Sequence, residues 1–249
     1  MKWRFIFVFM VALVACAKKD NGLDSTRISL KFTQSWDAVT IGNTNINNTF
    51  YTNAFGTQMN IVKLRYLLSN ISLQDKNDNW HVLKKHHLID VTKSESLNIV
   101  SEIEVPVGSY KQLKITFGFN NTDNIDGQYA DLNSVLWNVP GMLGGGYHFM
   151  QLEGQFINSN QITTNYQFHT IRAVDNSGAS LKFTDTFFEK NLGAVTITAG
   201  EELRINMNVA EWFKNPTTWN LNTLHSMMMP NYSAQIAMFD NGQNVFSLQ

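Results

Sequence analysis

The sequence holds one cysteine in 249 residues, four prolines and few charges, with Asp, Glu, Lys and Arg together at 16%. A single thiol excludes an internal disulfide and any multi-cysteine metal site. The charges are balanced as well as sparse, since 19 Lys and Arg against 20 Asp and Glu leave a formal net charge of -1. With no basic face to displace phosphate counterions, a nucleic-acid partner is excluded. The chain also lacks GxGxxG, the P-loop, HExxH and GxSxG, so nucleotide, zinc-protease and serine-hydrolase readings have no local support. No nucleophile and base stand at a spacing that assembles a catalytic set, and the chain reads as a non-enzyme.

The lone cysteine is informative by its place. Lys2 and Arg4 give a positive start, Phe5 to Ala15 is apolar but too short to span a bilayer, and Leu13-Val14-Ala15-Cys16 matches a bacterial lipobox. The expectation is a removed signal over residues 1–15, lipidation at Cys16, and a polar tether over 16–26. The membrane is then a partner through acyl chains, each buried methylene contributing about 0.8 kcal/mol. Ala17, where Asp would signal inner-membrane retention, places the protein at the outer membrane, periplasmic or surface-exposed.

Residues 27–249 read as a single domain, with 43% hydrophobic and 12% aromatic residues to fill a core. Alternation dominates, as half-buried strands require. Ile28, Leu30 and Phe32 share one face, as do Leu64, Tyr66 and Leu68 before a bulge near Ser69-Asn70. Turn formers at Gln74 to Asn79 precede strands at His81–Leu83 and His87–Val91. Pro106-Val107-Gly108 between two alternating runs predicts a hairpin over Glu102–Phe119. Leu203, Ile205, Met207 and Val209 alternate most cleanly. Thr223 to Met229 reads as a short helix stopped by Pro230, and Ile236 to Leu248 as helix plus strand or as a hairpin. The fold class that satisfies these patterns is all-β, an antiparallel β-sandwich with short helices in its loops.

Chemistry concentrates in Asp131–Thr170, where a loop bearing Trp137 and the glycines 144–146 joins alternating segments carrying His148 and His169. Asp123, Asn124, Asp126 and Asp131 offer oxygen ligands for calcium, or serve as turn formers, and their spacing is not that of an EF-hand. Of the six histidines, His86 and His87 point to opposite strand faces and His81 sits at a hairpin rim. His148, His169 and His225 remain as ligand candidates. Met227, Met228 and Met229 follow His225, and thioether beside imidazole suits a soft ion such as Cu(I). Methionines also fill irregular core gaps, which leaves both readings open.

Several segments in order carry a resemblance: LRYLLSNISLQD (64–75), VPVGSYKQLKITFGFN (105–120), VLWNV (135–139), GYHFMQLEGQF (146–156), FHT (168–170), HSMMMPN (225–231) and NGQNVFSL (241–248). Together they resemble the MbnP-like copper-binding proteins, a family widespread among Bacteroidota lipoproteins, over about Ile28 to Leu248. Lys18-Lys19-Asp20 also looks like charged surface-display signals of that group. The resemblance implies a β-sandwich of the cell envelope that binds copper, with a tryptophan oxidised by a dihaem peroxidase partner. Trp137 matches the first Trp of the family's M-x-W-x-W-x-x-G-Y pattern. The second falls on Val139, and Pro140 to Gly145 is inserted before Gly146-Tyr147. His169 matches the His of an H-L-G segment, here followed by Thr170-Ile171, and His225 matches a His-Ser-x-Met-Met element. The copper ligands expected are then His169 and His225, which the resemblance implies, with His148 and Met227 from the residues themselves, and the resemblance marks Trp137 as the modified residue. The competing expectation is a non-metal scaffold that binds glycan or protein through Trp80, Trp212 and Trp219.

Overall fold

The computed structural model describes residues 24–249. The signal segment, Cys16 and most of the tether lie outside the described residues. Two sheets face each other. The smaller runs Phe246–Leu248, Glu202–Asn208, Ser29–Trp36, Val39–Ile41, with Asn98–Val100 also paired to Ser29–Trp36. The larger runs Phe188–Asn191, Gln112–Phe117, Lys63–Gln74, Met150–Ile157, Gln58–Asn60, Phe50–Thr52, with Thr163–Thr170 and Trp80–Asp90 as side partners. Leu30 and Phe32 from one sheet, with Ile28 just before that strand, and Leu64, Tyr66, Leu68, Leu113, Ile115 and Phe117 from the other share one buried core.

The bulge expected near Asn70 is present. Asn70 has φ 48°, and the register with Trp80–Asp90 slips between Ile71 and Ser72. One extra residue inverts side-chain parity. Leu68 and Ile71, three apart, therefore both enter the core.

The expected all-β sandwich with short helices in its loops is present, and four details of it are corrected. His81–Leu83 and His87–Val91 are not separate strands but one, Trp80–Asp90, because continuous pairing with Lys63–Gln74 overrides the polar interruption at Lys84-Lys85. The 102–119 hairpin does not form. Val105–Pro106 pairs with Ser25–Thr26, Gly108–Tyr110 with Val195–Ile197, and Gln112–Phe117 with the large sheet. Pro106 lacks an N–H and occupies only a two-residue ladder. The sandwich is antiparallel except at one ladder among the described residues, where Ser29–Trp36 runs parallel to Glu202–Asn208, placing Ile205 opposite Phe32. Last, Thr223–Met229 is a string of turns. Its His225 carbonyl accepts from Gln167 N–H at 2.8 Å, so a strand edge takes the bond a helix would use. The helix begins later, at Tyr232–Gly242, capped by Asn231 accepting from Ala234 N–H, and a strand Phe246–Leu248 follows.

On the face of the large sheet turned away from this core lies a second, smaller one, made by Leu67, Phe119, Leu132, Trp137 and Tyr147. The segment from Asn120 to Tyr147 thus lies across the outer face of the sheet. That placement creates the site.

Candidate metal centre

The loop from Trp137 to His148 closes on itself. Val139 N–H donates to the Gly146 carbonyl at 2.9 Å, and His148 N–H to the Trp137 carbonyl at 3.0 Å. Gly146 has φ 80°, and a Cβ there would sit 2.6 Å from Asn124 Oδ1, the atom that accepts the Tyr147 N–H at 2.8 Å. A left-handed backbone and a close polar neighbour both require glycine.

The closure brings three of the expected residues together. The Trp137 and His148 rings lie 5.6 Å apart, and the His148 and His169 rings 5.4 Å apart, edge on. His169 reaches this position by pairing opposite Gln151 in the Met150–Ile157 ladder, on the face outside the main core. Met229 joins them, its Sδ 3.2 Å from His148 Nε2.

Hydrogen bonding fixes the imidazole tautomers. His148 Nδ1 lies 3.0 Å from the Trp137 carbonyl. A carbonyl only accepts, so Nδ1 carries the proton and Nε2 presents its lone pair toward Met229. His169 Nε2 lies 2.9 Å from Glu153 Oε1, and that carboxylate is also held by Lys63 Nζ at 2.9 Å. His169 Nε2–H donates to that carboxylate, which leaves the lone pair on Nδ1. A ring N–H tied to a carbonyl or carboxylate is the usual support of a metal-ligating histidine.

The electrostatics keep both rings neutral. Burial is the main cause lowering His148 to about 4, with the neighbouring His169 and Arg65 acting in the same sense against the Trp137 carbonyl bond. Burial likewise lowers His169, opposed by Glu153. Burial alone would raise Glu153, but the hydrogen bonds and charges of Lys63 and His169 hold it below the usual carboxylate range. Arg65 stacks its guanidinium 5.0 Å from the Trp137 ring centroid and bonds Gln151 Oε1 at 2.5 Å. Trp137 Nε1 and Arg65 Nε are both buried without a protein partner. Each costs about 1–3 kcal/mol.

A cavity of about 400 Å³ opens beside His169, lined by Met227, Met228, Met229, Met142 and Leu143. Neutral imidazole nitrogen and thioether sulfur fit a soft, low-charge ion such as Cu(I) better than a hard divalent one. Bonds of about 2.0 Å to nitrogen and 2.3 Å to sulfur at tetrahedral to trigonal angles separate the two donors by roughly 3.5–3.7 Å. The observed Nε2 to Sδ distance of 3.2 Å is a few tenths of an ångström shorter, so the pair would open slightly to admit an ion. No group of three or more His, Cys, Asp or Glu converges among the described residues. Any metal here rests on the thioether.

Other expected residues stand elsewhere. His225 packs its ring 5.4 Å from Phe156 and sets Nδ1 3.0 Å from the Leu221 carbonyl. Phe156 faces the main core while His169 faces outward, so His225 is outside the cluster. Met227 is 75% exposed at the cavity and does not reach inside. The acidic loop is spent on structure: Asp123 accepts from Asn120, Asn124 from Tyr147, Asp126 from Asn138, and Asp131 bonds His86. Of the three tryptophans expected at the surface, Trp212 and Trp219 are buried by Phe168 and the core around it, leaving Trp80 exposed.

The family described as MbnP matches residues 25–229. The chain belongs to the MbnP family. The fold agrees: MbnP from Methylosinus trichosporium superposes with a TM-score of 0.57 over 91% of this chain and 99% of that one, at 11% identity. No curated protein matches the sequence. Within this MbnP-family chain, sequence reasoning missed Arg65 and the pairing of Glu153 with His169. The signals were there, in a lone arginine within LRYLL and a lone carboxylate in MQLEGQF, each on the polar face of its strand.

Proposed function

We propose that this MbnP-family protein is a copper-handling lipoprotein of the cell envelope, holding Cu(I) through His148 Nε2, His169 Nδ1 and Met229 Sδ beneath the Trp137 loop. The observation that carries this reading is a pair of neutral imidazoles, each with one N–H tied off, beside a thioether 3.2 Å from one of them. Envelope placement rests on the lipobox at Cys16, and oxidation of Trp137 by a dihaem peroxidase partner rests on the match of that residue to the family pattern. The scaffold reading loses support because two of the three tryptophans it needs are buried.

Competition against a chromophoric Cu(I) chelator tests the site. The expected result is one Cu(I) per chain, an affinity loss of at least about 100-fold in H148A/H169A, and no loss in H225A. Retention of affinity in the double variant, with circular dichroism unchanged, would remove the site. Intact mass of protein from its own host reads the other two claims, since acylation at Cys16 and oxygen insertion at Trp137 each add mass.

A further inference from the structure

The three consecutive methionines have three fates. Met228 is buried at 2% exposure and its carbonyl accepts from Gln235 at 3.0 Å. Met229 packs on Val139, Leu143, Ile171 and Val174 and meets His148. Met227 is turned out at 75% exposure, with φ 55°. A bulky residue in the left-handed region is an outlier that costs on the order of 1–3 kcal/mol. Glycine or asparagine would relieve that strain, and at such exposure the thioether gains almost no burial in return.

Across the same cavity the pattern repeats on an unrelated element. The 3-10 turn Gly141–Leu143 anchors itself through Leu143, which is 9% exposed, and leaves Met142 81% exposed. Gly144 ends that turn at φ 92°, where a Cβ would collide with the Phe183 ring. Both turns leave a methionine outward at the cavity. Met142, Met227 and His169 line one cavity of about 400 Å³. The imidazole at its inner end is only 13% exposed, so a metal arriving from solvent meets sulfur before nitrogen.

We propose that Met142 and Met227 form a weak thioether site at the mouth of this cavity, through which Cu(I) enters and leaves the buried centre. Thioether is a neutral, soft donor that competes poorly with water for hard cations such as Ca²⁺ and Mg²⁺. A pair of them at the mouth raises the local concentration of Cu(I) next to the inner ligands without adding to final affinity. Uptake then proceeds by ligand exchange, in which one thioether bond breaks as one imidazole bond forms, with no change of oxidation state. The proposal rests on the copper reading above and adds a route to it.

The test is stopped-flow transfer of Cu(I) from a chromophoric chelator to the full chain in detergent, comparing wild type with M142L/M227L. Leucine keeps the apolar rim and removes only sulfur. Transfer slower by about tenfold or more, with equilibrium affinity within about twofold, is expected. Equal rates at equal affinity overturn the mouth site alone, and absence of Cu(I) binding in wild type overturns the copper reading on which it rests. A second measurement removes the inner centre. In H148A/H169A carrying [methyl-¹³C]methionine, Ag(I) is expected to shift the Met142 and Met227 resonances in fast exchange. Unmoved resonances overturn the proposal.

Discussion

Residue-level chemistry here turns on where imidazole protons are held. His148, His169 and His87 are all buried enough to sit below the ordinary histidine value, His148 at about 4. His87 does this while donating to the Ser96 carbonyl and stacking on Phe32. Their folded values are depressed relative to an unfolded value near 6.5, so the unfolded chain binds protons first as pH falls. Stability is then full above about pH 6.5 and declines toward pH 4, His148 alone accounting for on the order of 3 kcal/mol. Urea denaturation of the metal-free protein is expected to show a lower midpoint at pH 5 than at pH 7.5, with a shallower dependence in H148Q. A midpoint constant over that range would mean that these rings take up protons in the fold as readily as in the unfolded chain. His148 and His169 were candidates from sequence, but Arg65, the choice of Met229 and the pairing of these groups around Trp137 were not readable there. Met229 and Met227 are chemically alike, and only the backbone at 227 decides which one turns inward.

At the scale of elements, the closed loop from Trp137 to His148 is the part that makes three separate segments into one centre. Its closure depends on Gly146, where the left-handed backbone and the approach of Asn124 leave no room for a side chain. Gly146→Ala is expected to cost about 1–3 kcal/mol locally. It should raise amide exchange over residues 137–148 while leaving Lys63–Gln74 protected, and weaken copper retention. Uniform loss of protection across the chain would instead make the loop part of the main folding unit. Elements with strong local patterns were legible: Ser29–Trp36, Glu202–Asn208, and the bulge at Asn70. Elements decided by distant partners were not. The Pro106-Val107-Gly108 turn signal gave way to three different ladders, and the Thr223–Met229 helix gave way to pairing of His225 with the edge at Gln167.

For the whole molecule, the sandwich supplies a rigid floor and keeps the centre off the main core. One sheet face is sealed against the smaller sheet, while the other carries the charged row Lys63, Arg65 and Glu153 that fixes His169. This division also separates His225 from the centre. Alternation in the sequence does not say on which side a loop residue's ring falls, and the turns of 223–229 put this ring on Phe156. The parallel ladder between Ser29–Trp36 and Glu202–Asn208 is a register between distant parts of the chain that alternation alone does not encode. No helix among the described residues is long and apolar enough to cross a membrane. The central claim is that one soft ion is held jointly by two imidazoles and the Met229 thioether. X-ray absorption at the copper edge of the Cu(I)-loaded protein reads this most directly. The account predicts a first shell with two nitrogen scatterers and one sulfur scatterer, the sulfur lost in M229L. A shell of nitrogen and oxygen alone, unchanged by M229L, would contradict it.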